Sequence, residues 1–255
     1  MESGISDRVG HRPYPPPDRP WILAQRWHDL LFAHWEVPSN VLRRAVPAPL
    51  EIDVHENRAW IGVVPFTMSG VRLNGMPALP WVSAFPELNV RTYVRYRNLA
   101  GVYFFSLDAG NRCAVAAARR WYRLPYYRAR IEVHRLGEEV EYRSRRTHRG
   151  AAPARLEVRY RATGEAALPA AGSLDHWLVE RYRFLMVSKG KVFAGEIHHP
   201  AWRLRPATAE FGINTMTQNL GIGLPAGDPR LAFAERQDVV VWPRRSYPFS
   251  QSTRR

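Results

Sequence analysis

From about Leu50 to Arg161 the sequence is dominated by short runs in which the hydrophobic period moves toward two, and this limits the chain more than any other feature. Trp60, Val63, Phe66 and Met68 mark one run, and Val90, Thr92, Val94 and Tyr96 a second. Tyr126 to Arg135, Val140 to Arg146 and Ala154 to Arg161 alternate basic with apolar or aromatic residues. Successive side chains on a strand point to opposite faces, so these runs predict strands, with Gly137 turning the first two basic runs into a hairpin. Arginines on the outer face of such strands also protect their edges. GVYFFSLDAG reads as a buried strand, the Lys189-Gly190-Lys191 turn joins two more, and VVVW after Asp238 forms another.

Helices are expected to be few and short. Trp27, Leu30, Leu31, His34 and Trp35 recur at three- and four-residue spacing, which predicts a helix ending near Pro38. Ser39 offers an N-cap for a short second helix through Arg44. Asp108 is read as the cap of a helix over Ala114 to Trp121, and Gly172 and Ser173 open one running to about Tyr182. Residues 1–20 carry five prolines between Pro13 and Pro20 and are expected to be a disordered tail. Residues 21–243 are expected to form one domain, and 244–255 a flexible basic tail.

The formal charge is +14, yet only Lys189 and Lys191 among the 37 basic residues are lysines, a balance that arginine-rich codon usage explains as well as phosphate binding does. Cys113 is the only cysteine, so the chain can form neither an internal disulfide nor a cysteine-based zinc cluster. No stretch approaches the 18 apolar residues of a membrane span and the N-terminus lacks a signal-peptide core, so the cytoplasm is the expected location. P-loop, G-x-G-x-x-G, G-x-S-x-G and H-E-x-x-H motifs are missing, which removes direct support for those reaction classes.

Two segments, LRRAVPAPLEID (42–53) and CAVAAARRWYRLPYYRARI (113–131), resemble passages of the acetoacetate decarboxylases. The ordered series HWEVP, PELNVRTYV, FFSLDA, LPYY, GSLDHWLVERYR and EIHHPAW is closer to the YqjF-like family, domain of unknown function 2071, of the same superfamily. The resemblance spans roughly residues 22–206. It implies an α+β, β-rich acetoacetate decarboxylase-like fold: a large, curved, mostly antiparallel sheet or cone-shaped barrel with a few short helices.

It also implies where a pocket would lie. In the decarboxylases a proline precedes two lysines, the first of which forms an imine with the substrate ketone. Here Pro125 is followed by Tyr126 and Tyr127, and a phenol cannot form that bond. The family's pocket glutamate matches Glu87, its early arginine falls near His28, and a later one matches Arg119. Glu87, Asn89 and Arg91 alternate on one strand face. Glu87 and Tyr126 are thus the candidate catalytic residues, and His28, Asn89, Arg91, Arg119 and Tyr127 the candidate ligand-binding ones. No cofactor is expected.

Neither is a metal: the adjacent His198 and His199 would face opposite ways on a strand, and Glu196 shares a face only with His198. Ion pairing is the expected role of Glu180, Arg181 and Arg183 on their short helix. The first reading is a small-molecule pocket, either a non-Schiff-base lyase or hydrolase or a binding protein without chemistry. The second is an arginine-rich module for nucleic acid or another anionic partner over Arg119 to Arg161. No membrane partner is expected, and a homo-oligomer is left open.

Overall fold

The structure, a computed structural model, describes residues 9–79 and 83–249. Its strands are β1 (Leu23–Val37), β2 (Glu51–Ile52), β3 (Ala59–Leu73), β4 (Phe85–Tyr96), β5 (Leu99–Ala109), β6 (Tyr126–Leu136), β7 (Glu139–Arg146), β8 (Arg155–Ala162), β9 (Arg183–Ser188), β10 (Lys191–His198), β11 (Arg205–Asn214), β12 (Arg230–Val241) and β13 (Arg245–Pro248). The helices are α1 (Ser39–Ala45), α2 (Arg112–Trp121) and α3 (Leu174–Val179). The described chain is mostly β, as the motifs lead one to expect.

Strands β5, β6, β7, β8, β11, β12, β1, β3 and β4 pair in that order, and β4 returns to β5, so they close a nine-stranded barrel. The β9–β10 hairpin adds a second closure. β9 lies parallel beside β5 at Val102 and Phe184, while β10 pairs with β12 at Ile197–Val241 and His198–Val240. Strands β1, β3, β4 and β5 are consequently covered on both faces. One face carries Leu31, Ala33, Ile61, Val63, Leu88 and Val90 into a core with Tyr142, Leu156 and Tyr160. The other presents Phe32, Phe66, Met68 and Tyr93, packed with Val115 of α2, Leu178 of α3 and Trp202.

That double burial explains the first departure from expectation, for the segment read as a helix around Trp27–Trp35 is strand β1. Leu30, Leu31, Phe32, Ala33 and His34 are all buried, so apolar residues need not alternate. A register shift between His28 and Ala33, with Asp29 at φ 50°, adds a bulge that further blurs the period.

The expected cap of α2 also changes. Asn111 caps it, its side chain accepting from the backbone N–H groups of Cys113 and Ala114 at 2.9 and 3.0 Å. Asp108 is instead fully buried and accepts a forked pair from Arg146 at 2.7 and 2.9 Å. α1 begins at Ser39, but Pro38 occupies the cap position with no side-chain bond, and α3 stops at Val179. β11 is a strand that the sequence reading does not anticipate.

Residues 9–20, expected to be part of a tail, are tied to the body. Arg12 donates to the Ile197 carbonyl at 2.9 Å, Arg19 donates to that of Pro243, and Trp242 Nε1 donates to that of Arg19. Residues 1–8 of that segment and 250–255 of the expected basic tail lie outside the described residues, and 245–248 pair with β10 as β13. Among the described residues no helix is long and apolar enough to cross a membrane.

Candidate functional site

A cavity of about 220 Å³ lies on the Phe32–Phe66 side of the central strands, between them, α2 and the β9–β10 hairpin. Much of its wall is aromatic: Trp27, Phe32, Phe66, Phe104, Phe184 and Trp202. α2 comes close because it offers Ala114, Ala117 and Ala118 to this wall. Gly195 lies opposite Phe184 in the hairpin, and a Cβ there would meet the Phe184 ring at 2.0 Å, so the glycine makes room for a wall residue.

Strand alternation carries the polar groups in. Glu87, Asn89 and Arg91 project from one face of β4 into the cavity, and Tyr126, at the start of β6, enters beside them. Burial pushes the Glu87 carboxyl up to about 8, opposed by a hydrogen bond with the Tyr126 hydroxyl and reinforced by the nearby Asp108 charge. Near neutral pH Glu87 is therefore mostly the neutral acid. Burial, together with Glu87, likewise holds the Tyr126 phenol well above its ordinary value.

Several buried polar atoms around this wall have no hydrogen-bond partner among the described residues: Glu87 Oε2, Asn89 Oδ1, Arg91 Nε, Arg181 Nη2 and Arg183 Nε. Such atoms are costly to leave unpaired, so they are the groups on this wall able to bond a polar partner. Arg91 reaches the Leu178 carbonyl at 3.4 Å with its guanidinium over the Phe32 ring, and Arg181 is held by Asp53 at 2.8 Å. Arg183 pairs loosely with Glu196 at 3.7 Å.

Behind Arg91 stands a buried polar chain. Tyr93 donates its hydroxyl proton to the Leu178 carbonyl at 2.8 Å, so His34 must donate Nε2–H to the Tyr93 oxygen, also at 2.8 Å. Burial and the Arg91 charge keep His34 neutral, well below its ordinary pKa. Gly62 leaves the room, because a Cβ there would lie 2.7 Å from His34 Nε2.

The other candidates lie elsewhere. Tyr127, one residue after Tyr126, turns to the opposite side of β6 and packs on the Arg146 guanidinium, 4.2 Å from its ring centre. Arg119 is outside too, donating to the Tyr126 carbonyl at 2.7 Å; both line a separate surface depression with Arg123. His28 on β1 bonds Ser69 Oγ at 2.7 Å and is not part of the cavity wall. The sequence reading missed Tyr122, Arg181, Arg183 and His199 as cavity residues. Tyr122 lies in the segment 113–131, while Arg181 and Arg183 read from the sequence as ion-pairing residues and His199 only as a candidate metal ligand. No lysine lines the cavity, and Lys189 and Lys191 are exposed at the hairpin turn.

Comparison with known proteins agrees with the fold. The chain is 41% identical over 243 residues to "Uncharacterized protein YqjF" of Bacillus subtilis (strain 168), covering 95% of this chain and all of that one. Among solved structures, acetoacetate decarboxylase from Legionella pneumophila subsp. pneumophila str. Philadelphia 1 superposes with a TM-score of 0.61 at 12% identity, over 97% of this chain and 96% of that one. The enduracididine biosynthesis enzyme MppR, described as complexed with pyruvate, gives a TM-score of 0.60 at 10% identity, over 93% and 97%. At such identities the two structures establish the fold alone. The model of the DUF2071 family, described as "Uncharacterized conserved protein", matches residues 24–238, and the chain belongs to that family.

Proposed function

We propose that the cavity binds a small carboxylic acid with a compact apolar body, and that the neutral Glu87 carboxyl, backed by Tyr126, acts on it as a general acid without a Schiff base. The observation that carries this reading is that Arg91, Arg181 and Arg183, each with a nitrogen lacking a partner among the described residues, line one largely apolar cavity with Glu87, whose carboxyl burial pushes up to about 8. Guanidinium groups match a carboxylate, and the aromatic wall matches an apolar remainder. Glu87 can pass its proton to a substrate oxygen and be left as a carboxylate that Tyr126 stabilises by hydrogen bonding. The pyruvate described in the MppR complex is a carboxylate of this size, which supports the choice of class.

The arginine-rich alternative finds less support. Tyr142 and Tyr160 of β7 and β8 are buried, so those two strands present no tyrosine for bases to stack on. Several of the outer arginines are engaged: Arg143 and Arg159 with Glu141, and Arg155 with Glu157.

Thermal unfolding in the presence of small 2-oxo and 3-oxo acids tests the reading. Stabilisation by an acid, absent with its amide analogue and lost in Arg91→Met and Tyr126→Phe, is the expected result. Equal stabilisation by acid and amide would defeat it. Borohydride added with a bound oxo acid should leave the protein mass unchanged. An adduct on Lys189 or Lys191 would restore a Schiff-base mechanism.

A further inference from the structure

Away from the Glu87–Tyr126 pair, the fold gathers His11 from the N-terminal segment, Glu180 just after α3, and His199 just after β10. One ligand atom from each lies within 4.8 Å of the other two. The pair weighed from the sequence, His198 and His199, does not form this group.

The hydrogen bonds leave the right lone pairs. In the tautomer whose proton sits on Nδ1, 2.8 Å from the Pro200 carbonyl oxygen, His199 keeps Nε2 as the lone-pair nitrogen. His11 Nε2 lies 2.9 Å from the His199 carbonyl oxygen, so it too is the donor and Nδ1 keeps the lone pair. An imidazole whose far N–H is fixed on a backbone carbonyl is the usual state of a metal-bound histidine. Glu180 is oriented by donors on both oxygens, the Trp202 N–H at 2.9 Å and the Tyr182 hydroxyl.

We infer that His11, Glu180 and His199 form a binding site for a divalent transition-metal ion of the Zn²⁺ class. Two imidazole nitrogens and one carboxylate are a ligand set that Zn²⁺ favours, and three protein ligands leave a fourth position open. Tetrahedral coordination at about 2.1 Å brings ligand atoms to roughly 3.4 Å from one another, so the group must contract by at most about 1.4 Å. His11 can supply that movement because it lies outside any strand or helix. The opposing charge is local: Arg12 packs over the Tyr182 ring and Arg183 lies near, with Glu196 set against both. The Arg181 carbonyl also approaches the His199 ring. A neutral His199 ring can donate to only one of these two carbonyls, and metal binding selects the tautomer that donates to Pro200. This inference does not depend on the carboxylate-binding reading.

The test uses the full chain without an affinity tag, stripped with a chelator, dialysed and titrated with Zn²⁺ by calorimetry and with Co²⁺ by visible absorption. One equivalent should bind, Co²⁺ should develop the visible bands of a four-coordinate site, and His11→Ala and His199→Ala should each weaken binding by at least ~10-fold. His11→Ala is the decisive variant, because metal-free melting matching the parent shows that its fold is intact. No binding by the parent chain, or equal binding by both variants, would overturn the assignment.

Discussion

Replacing Glu87 with glutamine should stabilise this protein, by an amount that grows with pH. Glu87 is 2% exposed, and its carboxyl holds its proton up to about pH 8 in the folded chain against an ordinary value of 4.5. Because the folded state binds the proton more tightly, the contribution of Glu87 to stability is full below pH 4.5. It is lost progressively as pH rises from 4.5 to about 8, and is constant above that. At about 1.4 kcal/mol per pH unit, ionising the unfolded chain first costs the parent about 3 kcal/mol at pH 7, with a ceiling of about 5 kcal/mol above pH 8. Glutamine, neutral throughout and of nearly the same shape, escapes this cost. Urea denaturation of both proteins at pH 5, 7 and 9 should show curves that nearly coincide at pH 5 and separate steadily above it. A variant less stable than the parent by the same margin at all three pH values would refute the reasoning. It would mean that Glu87 is a satisfied, ionised carboxylate.

If the bound acid shares the cavity with Glu87, its affinity should fall above about pH 8, where Glu87 becomes negative beside the ligand carboxylate. Calorimetric affinities that stay flat from pH 6 to pH 9 would count against that shared cavity. Gly195→Ala places a methyl on the Phe184 ring, so the ring must move into the cavity. Oxo-acid binding should weaken and stability fall by about 1–3 kcal/mol in urea melts. Asp108→Asn leaves the Arg146 guanidinium buried without its anion. The expected loss is about 3–5 kcal/mol in urea melts, and a loss below about 1 kcal/mol would show that the pair is not the buried anchor its geometry implies.

Strands buried on one face were readable from the sequence, and of those buried on both, β3, β4 and β5 kept enough alternation or β-forming residues to be read as strands while β1 did not. β7 and β8 alternate arginine or glutamate with Val140, Tyr142, Leu156 and Val158, because one side meets solvent and the other a core. β1 lacks that contrast and reads as a helix. β11 hides for another reason: its Pro206, Ala207, Ala209 and Gly212 make too weak an apolar signal.

The same logic runs through the cavity. Glu87, Asn89 and Arg91 can be placed together because strand periodicity is local information. The turn that sends Tyr126 inward and Arg119 outward depends on how α2 docks, which no spacing records. Arg181, Arg183 and His199 reach the cavity only through the β9–β10 hairpin crossing from β5 to β12. His11 arrives through a proline-rich segment whose composition suggests no packing at all.

That hairpin is a door with narrow hinges. Its ladder to β5 rests on Val102 and Phe184, and its ladder to β12 on Ile197 and His198, whereas β1 runs beside β12 from Leu23 to His34. Its pairing to the barrel strands is short, but β13 pairs along β10 from Lys191 to Ala194, and Leu185, Val192 and Ala194 sit in the core, so opening the wall bearing Phe184 would cost that packing as well. Residues 11–19 lie across the seam as a latch, with His11, Arg12 and Arg19 grasping the carbonyls of His199, Ile197 and Pro243. Traffic into the cavity would then be set by how firmly the N-terminal segment holds the hairpin shut.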